Sequence, residues 1–592
     1  MDPSRPNILY IMSDDHTMAA ISAYDGTPNA APAEGYVSTP NIDRLATEGI
    51  RFDRAYVTNS ICGPSRAAGL TGKFSHKNGF YSNEYEGAAG LDETQWMFTK
   101  ELQEAGYFTA IVGKYHLGRA PSSFDYWNIL VGQGQYYTPV TIDMGVQVDH
   151  PDIHCTDWTT NETLKTLDER VPEDTPFMLM MHQKAPHRNW MAPSRHLGYF
   201  GDKVWPVPDT FYDRYEGRLA ASMQDMRIED MFWSNDQKLF LPDDMEDPGT
   251  GGAQGIGSPA DQKVNYMNQI NNRMNAEERE AWLNFYEPLS EAFFDRETLP
   301  RGDELALEFY QIYMREYMQT IVGVDESVGI VMDYLEDKGL LDNTLVVYTG
   351  DQGFYLGEHG WFDKRYMYET SYRTPLLMRL PHTIEAGRIN DQMVMNLDFA
   401  STFLDLVGLG DKIPEDVQGE SFLPILKGDE AAFTRDAIYY HFYENPGWHE
   451  VPRHYGVKTL QYKLMHFYSP EINTWELYDL YEDPAEMNNL YSNATVSDVQ
   501  EALHAKLDDL RVKYDDSCPP LCSDVSGPIQ CPGGDLETCT SWCTGAIADT
   551  EACEQECVGL SCLATPPMSP TPPRVSSTRQ REHWRGDRAR GI

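Results

Sequence analysis

Five short apolar runs, four of which end at a polar or charged residue, constrain the fold of this chain more than any other feature. Runs that are apolar throughout suit β-strands buried on both faces of a sheet. Helical patterns lie between them, for example over residues 39–48, where Thr39 is the expected cap, and over residues 305–338. This alternation predicts an α/β sheet covered by helices on both sides. The five runs are residues 7–13, 108–114, 176–183, 345–351 and 375–380.

The chain has 592 residues, which is too long for one ordinary hydrophobic core. We assign residues 1–430 to a large catalytic domain, with an insertion or long surface loop at about 200–300 that contains one helix. Residues 431–515 are predicted to form a smaller domain with antiparallel strands and a final helix. The predicted strands and helix of this smaller domain are residues 437–443, 455–459, 462–468, 475–479 and 497–514.

The last part of the sequence is rich in cysteine. An even number of cysteines within residues 516–565 resembles a disulfide framework, which implies an oxidising compartment. A zinc site is the alternative, although this segment has no CxxC pair and no histidine. Residues 566–592 are rich in proline and arginine and are predicted to be disordered. The eight cysteines are Cys518, Cys522, Cys531, Cys539, Cys543, Cys553, Cys557 and Cys562.

The formal net charge of −45 argues against general nucleic-acid binding, because phosphate groups would be repelled. An anionic substrate would face the same repulsion and would need a local cluster of cations. No run of about 18 apolar residues occurs, so we expect no membrane span. No secretory signal precedes residues 5–8, which favours an intracellular location or a sequence that starts at a mature end. The cysteine-rich segment favours the opposite, and both interpretations stay open.

Carboxylates follow two of the predicted strands at the point where each strand ends. Asp14 and Asp15 end the first run, and Asp351 and Gln352 end a later one. Ligands collect at the carboxyl ends of strands in α/β sheets, so these side chains can converge on one cation. Oxygen ligands alone fit calcium or magnesium rather than a softer metal. A helix cap is the alternative for the first acidic pair.

The run Cys62-Gly63-Pro64-Ser65-Arg66, followed by Thr71-Gly72, resembles the signature of the type I formylglycine-dependent sulfatases. The alternative is a buried cysteine in a turn, the usual fate of a lone cysteine. In that family a maturation enzyme oxidises the cysteine to formylglycine. One hydroxyl of the hydrated aldehyde attacks sulfur, and the second later expels sulfate. The resemblance therefore implies a covalent sulfuric ester hydrolase.

The same resemblance implies a metal site and its ligands. Calcium, with magnesium less favoured, would be bound by Asp14, Asp15, Asp351, Gln352 and the formylglycine at Cys62. Many family members carry asparagine where this chain has Gln352, and both side chains offer an amide oxygen.

Further segments resemble elements of the family that bind sulfate and transfer protons. Residues 114–118 resemble the GKxHxG element, so Lys114 would bind sulfate oxygens and His116 the formylglycine diol. His187 would protonate the leaving alcohol, since a histidine titrates near neutral pH.

Two more cations complete the expected sulfate pocket. Lys364 would be a second sulfate-binding lysine, and Arg66 would hold the diol. Asp351 would assist proton removal from the diol. These cations and the metal would neutralise charge at the transferring group, where it matters most.

The resemblance covers roughly residues 5–490 and is strongest to bacterial N-acetylglucosamine-6-sulfatase-like carbohydrate sulfatases. It implies an alkaline-phosphatase-like α/β core with a large mixed sheet covered by helices, plus a smaller C-terminal α+β domain with an antiparallel sheet. It also implies a sulfated glycan substrate attacked from its end, and together with the cysteine-rich segment it favours a periplasmic or secreted location. Another glycan, such as a marine algal polysaccharide, is the alternative substrate; a phosphoesterase and an inactive binding protein are weaker alternatives. Candidate sugar contacts are Arg188, Trp190, His359, Tyr372 and Arg373.

Overall fold

The computed structural model of the protein describes residues 5–27, 32, 35–83, 90–242, 259–445, 447–469 and 471–516. These residues belong to one compact unit. The cysteine-rich segment with its eight cysteines and the proline- and arginine-rich end lie outside the described residues. The division at residue 430 stays a prediction.

Sixteen strands and thirteen α-helices occur in the part of the chain that the structure describes. The strands are β1 (Asn7–Ser13), β2 (Ile50–Phe52), β3 (Ala55–Tyr56), β4 (Phe108–Gly113), β5 (Tyr126–Leu130), β6 (Val140–Asp143), β7 (Val146–Asp149), β8 (Phe177–Gln183), β9 (Thr344–Gly350), β10 (Leu376–Arg379), β11 (Arg388–Asn390), β12 (Val394–Met395), β13 (Ala437–Phe442), β14 (His454–Thr459), β15 (Tyr462–Ser469) and β16 (Ile472–Asp479). The helices are α1 (Pro40–Thr47), α2 (Cys62–Thr71), α3 (Ser75–Asn78), α4 (Phe98–Glu104), α5 (Cys155–Glu169), α6 (Leu219–Met223), α7 (Pro259–Arg273), α8 (Ala276–Phe294), α9 (Asp303–Asp337), α10 (Glu369–Tyr372), α11 (Asp398–Leu406), α12 (Leu423–Leu426) and α13 (Ser497–Lys513).

The main sheet has ten strands within the described residues, in the order β11-β2-β10-β9-β1-β8-β4-β5-β6-β7. Its five central strands, from β9 to β5, are parallel, whereas β10 joins β9 antiparallel and β6 joins β5 antiparallel. The sheet is therefore mixed. All five apolar runs form strands of this sheet, which confirms that part of the prediction.

Helices cover both faces of the sheet, as the alternation of strands and helices predicts. Ile8 and Tyr10 of β1 pack in one buried apolar cluster, to which α2, α4 and α11 contribute. Leu9 and Ile11, which point to the opposite face, pack in a second cluster with residues of α1, α5 and α9. Because every residue of β1 is buried, its side chains can be apolar without alternation.

Four antiparallel strands, β13 to β16, form a separate sheet with α13 packed on it. A buried ion network ties this sheet to α10 of the larger part of the chain. Lys463 of β15 contacts Glu369 of α10 at 2.9 Å and Glu486 at 2.7 Å. The predicted smaller antiparallel sheet and its final helix are confirmed.

The segment at about 200–300 contains more helix than the sequence suggested. We expected one helix, and the structure has the long helices α7 and α8 in addition to the short α6. Asn275 caps α8, and its side chain and that of Glu278 form a reciprocal capping box. No helix among the described residues is both long and apolar enough to cross a bilayer.

Candidate active site

The carboxyl ends of β1 and β9 bring the four predicted oxygen ligands together. The two strands are parallel neighbours, and Ser13 pairs with Gly350, so the residues that follow them meet at one edge of the sheet. The amide of Asp15 donates to Oδ1 of Asp351 at 3.0 Å. Asp15 has a φ of 63°, which turns the chain back over this edge.

Cys62 lies beside these carboxylates at the first turn of α2. Its side chain is buried, and one atom each of Cys62, Asp14 and His187 lie within 4.8 Å of one another. Burial, together with the charge of Asp14, raises the pKa of the Cys62 thiol well above its ordinary value. The unmodified thiol is therefore protonated near neutral pH and is a poor nucleophile.

Three buried cations pair with the three carboxylates. Lys114 contacts Asp14, Arg66 contacts Asp351 at 2.8 Å, and Lys364 contacts both carboxylate oxygens of Asp15 at 2.7 and 2.8 Å. All six side chains are almost completely excluded from solvent, so these charges are little screened. We call these six side chains the charge cluster: Asp14, Asp15, Arg66, Lys114, Asp351 and Lys364.

Burial and neighbouring charges separate the pKa values of the three carboxyl groups. Burial opposes ionisation of Asp14, but the charge of Lys114 lowers its pKa well below the ordinary value. Burial raises the pKa of Asp15 to about 7, against the opposing effect of Lys364. Burial and the charge of Asp14 raise the pKa of Asp351 to about 6. Without a cation, the protein therefore does not fully stabilise the ionised forms of the three neighbouring carboxyl groups. This is the usual condition of a cation site.

The donor atoms fit a hard divalent cation. One oxygen each of Asp14, Asp15 and Asp351 lie within 4.8 Å of one another. Oδ1 of Asp14 and Oε1 of Gln352 are buried and accept no hydrogen bond from the described residues. Buried oxygen atoms without donors are costly unless they bind an ion or water. An oxygen-only set of this kind suits calcium or magnesium.

The two predicted histidines lie on the partly exposed side of the charge cluster. Nε2 of His187 is 3.8 Å from Oδ2 of Asp15, and its Nδ1 contacts the carbonyl of Arg188 at 2.8 Å. A carbonyl only accepts hydrogen bonds, so Nδ1 of His187 carries the proton and its Nε2 faces the cluster. Burial and the charge of Lys114 lower the pKa values of His116 and His187 well below the ordinary value.

Gln133 is a site residue that the sequence alone did not identify. It lies in the loop after β5 between two glycines with positive φ, Gly132 and Gly134. Its Oε1 accepts a hydrogen bond from Nζ of Lys114 at 2.5 Å, and its Nε2 is 3.3 Å from Nε2 of His116. The flanking glycines are a signal in the sequence for this position, since they permit a backbone shape that other residues rarely adopt.

A buried lysine supports this loop from beneath. Nζ of Lys184 donates to the carbonyl of Gln133 at 3.2 Å and lies 4.8 Å from the ring centre of Tyr136. The hydroxyl of Tyr136 donates to the carbonyl of His187 at 2.5 Å. Burial lowers the pKa of Lys184 to about 8. Through Gln133 and Tyr136, the loop thus contacts Lys114, His116 and the backbone of His187.

A second polar group surrounds Asp363, the residue before Lys364. Asp363 contacts the guanidinium of Arg365, and its Oδ2 is 3.1 Å from Nε2 of His449. His449 comes from the connection between β13 and β14, and no sequence pattern predicts its position here. Arg188, a predicted sugar contact, reaches the same group, since its Nη1 is 3.5 Å from Nε2 of His449.

The other four predicted sugar contacts are not brought to the charge cluster. Trp190 is fully buried among aromatic side chains of the core. His359 contacts Asp213 at 2.9 Å, Tyr372 packs in an aromatic group, and Arg373 donates to a backbone carbonyl at 2.7 Å. Their surroundings are those of packing residues, and their role as sugar contacts stays a prediction.

The sequence matches the sulfatase family over residues 6–409. The chain belongs to the sulfatase family. Residues 357–513 of this sulfatase also match the family described as N-sulphoglucosamine sulphohydrolase, C-terminal. The protein is therefore a sulfuric ester hydrolase, as predicted, and the family in general uses formylglycine and a divalent metal.

Individual relatives agree with this membership. This sulfatase is 43% identical over 525 residues to an N-acetylglucosamine-6-O-sulfatase of Bacteroides thetaiotaomicron, with 88% of each chain covered. It is 25% identical to an N-acetylglucosamine-6-sulfatase of Capra hircus, over 72% of this chain and 64% of that protein. A solved structure of a protein in complex with its substrate D-glucosamine-2-N,6-O-disulfate is 42% identical, with a TM-score of 0.78 over 86% of this chain and 98% of the other. The predicted alkaline-phosphatase-like fold is confirmed.

Proposed function

We propose that this sulfatase removes the 6-sulfate of N-acetylglucosamine from the end of a sulfated glycan. The arrangement of three buried cations around three carboxylates beside Cys62 carries the chemistry of the proposal. The substrate is supported by the relative from Bacteroides thetaiotaomicron, which carries that activity in its name and matches 88% of this chain. The solved structure with a 6-O-sulfated glucosamine supports the same substrate class.

Cys62 is the proposed site of formylglycine, formed by a separate maturation enzyme. When formed and hydrated, this group supplies the hydroxyl that attacks sulfur. The raised pKa of the unmodified thiol supports the need for such a conversion, because a protonated thiol is a weak nucleophile. Calcium is the proposed metal; Asp14, Asp15, Asp351, Gln352 and the formylglycine at Cys62 would hold it, and it would supply positive charge that stabilises the transferring sulfate group.

The residues of the chain have separate roles in this proposal. Lys114 and Lys364 bind the sulfate oxygens, and Arg66 holds the nucleophile against Asp351. Buried cations aimed at the transferring group stabilise its charge strongly because water does not screen them. Nε2 of His187, which faces the cluster, takes up a proton when the anionic substrate binds and then gives it to the leaving oxygen of the sugar; the partial exposure of His187 suits a group that meets the substrate.

Sulfate release from N-acetylglucosamine-6-sulfate tests the proposal directly. The protein should first be checked by peptide mass for conversion of Cys62. Release of sulfate that disappears in Cys62→Ala is the expected result. A fully converted protein that releases no sulfate from this sugar but does so from another sulfated glycan would refute the proposed substrate. Undiminished release by Cys62→Ala would refute the proposed nucleophile.

A further inference from the structure

The connection between β13 and β14 runs past the open side of the active site and is fastened to it at two points. At the first point, Glu444 accepts a hydrogen bond from the amide of Asn83 at 2.8 Å. Oδ1 of Asn83 in turn accepts from the amide of Gly63, the residue after Cys62, at 2.9 Å. Two successive hydrogen bonds thus link Glu444, at the start of this connection, to the first turn of α2, which carries Cys62.

The second point of attachment is His449, which is buried beside the residues that precede Lys364. Its Nε2 lies 3.1 Å from Oδ2 of Asp363, and its Nδ1 lies 3.2 Å from the carbonyl of Asp225. The ring of His449 also packs edge-to-face on Phe362, with ring centres 5.2 Å apart. Its contact with the partly exposed Arg188 brings it to the open side of the site.

Trp448, the residue directly before His449, faces solvent. Its side chain is 42% exposed, whereas His449 is only 3% exposed. No ring stacking on Trp448 occurs among the described residues, whereas Trp190, Trp233 and Trp282 each pack against another ring. Single exposed apolar residues are common on protein surfaces, so exposure alone carries no conclusion. Trp448 differs because its neighbour is anchored to the wall of the active site.

We propose that the indole of Trp448 is a platform for the pyranose ring next to the sulfated sugar, an inference that rests on the proposed function. A sugar whose 6-sulfate lies at Lys114 and Lys364 must extend the rest of the glycan through the open side, where His187 and Arg188 are partly exposed. A pyranose presents an apolar face of C–H groups, which packs on an uncharged aromatic ring. Trp448 would therefore select for a glycan of two or more sugars over the free monosaccharide.

Two substrates separate this inference from the proposed function. Sulfate release is measured from N-acetylglucosamine-6-sulfate and from a trisaccharide that carries the same sugar at its non-reducing end. Trp448→Ala is expected to lower kcat/KM for the trisaccharide by about 2- to 13-fold, mainly through KM, since aromatic contacts contribute about 0.5–1.5 kcal/mol. The same variant should leave kcat/KM for the monosaccharide within about twofold of wild type. Trp448→Phe, which keeps a ring, should recover most of the loss.

Tyr481→Ala is the matched control, because Tyr481 is 59% exposed and has no contact with the charge cluster. It should leave both substrates unchanged. Equal losses of Trp448→Ala on both substrates, or no loss on either, would overturn the platform while leaving the proposed function intact. Failure of the wild-type protein to release sulfate from either substrate would overturn the proposed function and the platform with it.

Discussion

Replacing Lys364 with methionine removes one positive charge from the site and keeps a side chain of similar length. Lys364 is buried, and its Nζ contacts both oxygens of Asp15 at 2.7 and 2.8 Å. Its ammonium is therefore already desolvated and oriented before a substrate arrives. Burial would lower its pKa, but Asp15 raises it well above the ordinary value, so the charge is permanent at working pH.

The expected loss follows from that desolvated position. Removing one fixed donor from a preorganised charge-stabilising site typically costs about 2.7–4 kcal/mol of the activation barrier, or about 10²- to 10³-fold in kcat. We therefore expect Lys364→Met to retain less than about one hundredth of wild-type kcat. The assay is initial-rate sulfate release at pH 7 with protein whose Cys62 conversion is confirmed.

The chain offers a matched control in Lys463, which is also a buried lysine. Lys463 pairs with two different carboxylates. It contacts Glu369 at 2.9 Å and Glu486 at 2.7 Å, donates to the carbonyl of Met367 at 2.7 Å, and makes no ion pair with a residue of the charge cluster. Removing one partner of a buried ion pair costs about 3–5 kcal/mol of stability. Lys463→Met should therefore lower the Tm and leave the kcat of the folded protein near wild type.

Two outcomes would refute this reasoning. Lys364→Met that keeps more than about a tenth of wild-type kcat would show that its charge is not used in the rate-limiting step. Equal losses of kcat in Lys364→Met and Lys463→Met, measured per folded molecule, would show that loss of a buried ion pair and not loss of sulfate binding is responsible. Thermal unfolding measured alongside gives the folded fraction of each variant.

Three further predictions follow from other parts of the site and the fold. Gln133→Leu removes an acceptor for Lys114 and should lower kcat/KM by about 13- to 160-fold in steady-state assays, since hydrogen bonds to charged groups contribute about 1.5–3 kcal/mol; an unchanged kcat/KM would contradict the role of this loop. Burial opposes ionisation of Asp516, but His76 and His441 lower its pKa well below the unfolded value, so its carboxylate stabilises the fold above about pH 4 and this contribution fades as pH falls further. The Tm difference between wild type and Asp516→Asn should therefore shrink from pH 7 to pH 3, and a constant difference would contradict the ion pairing. Chelation should lower both the Tm and sulfate release, and calcium should restore both, because a bound cation stabilises the folded state; an unaltered Tm and rate after exhaustive chelation would exclude the proposed metal.

The central strands could be predicted from the sequence because burial on both faces leaves an apolar run with no competing pattern. The run at β1 is buried at every position, and β9 is the same. The short strands β2, β3, β11 and β12 contain only two or three residues each and cannot show a period. They form because neighbouring strands supply hydrogen-bond partners, which is information that no short segment contains.

The candidate active site also has residues whose positions could be predicted from the sequence and residues whose positions could not. The carboxylates after β1 and β9 could be predicted to meet, because parallel strands end at one edge of the sheet. Gln133 and His449 come from loops, and their positions depend on anchors distant in sequence, such as Lys184 and Asp363. Trp190 shows the opposite failure. It follows a site motif closely in sequence, yet the chain turns there and buries the indole in the core.

The pairing within the charge cluster suggests how a protein with a net charge of −45 can accept an anionic substrate. Three carboxylates and three cations balance when all six are ionised, so in that state and without a metal the cluster offers no excess positive charge to a sulfate. A divalent cation shared by the carboxylates would leave the cluster with a net charge of about +2 and would compete with the lysines and arginine for the same oxygens. Metal binding should therefore favour substrate binding, and by linkage substrate binding should favour metal binding to the same degree. The local excess of positive charge that the sulfate needs then depends on the metal, whatever the sign of the distant surface.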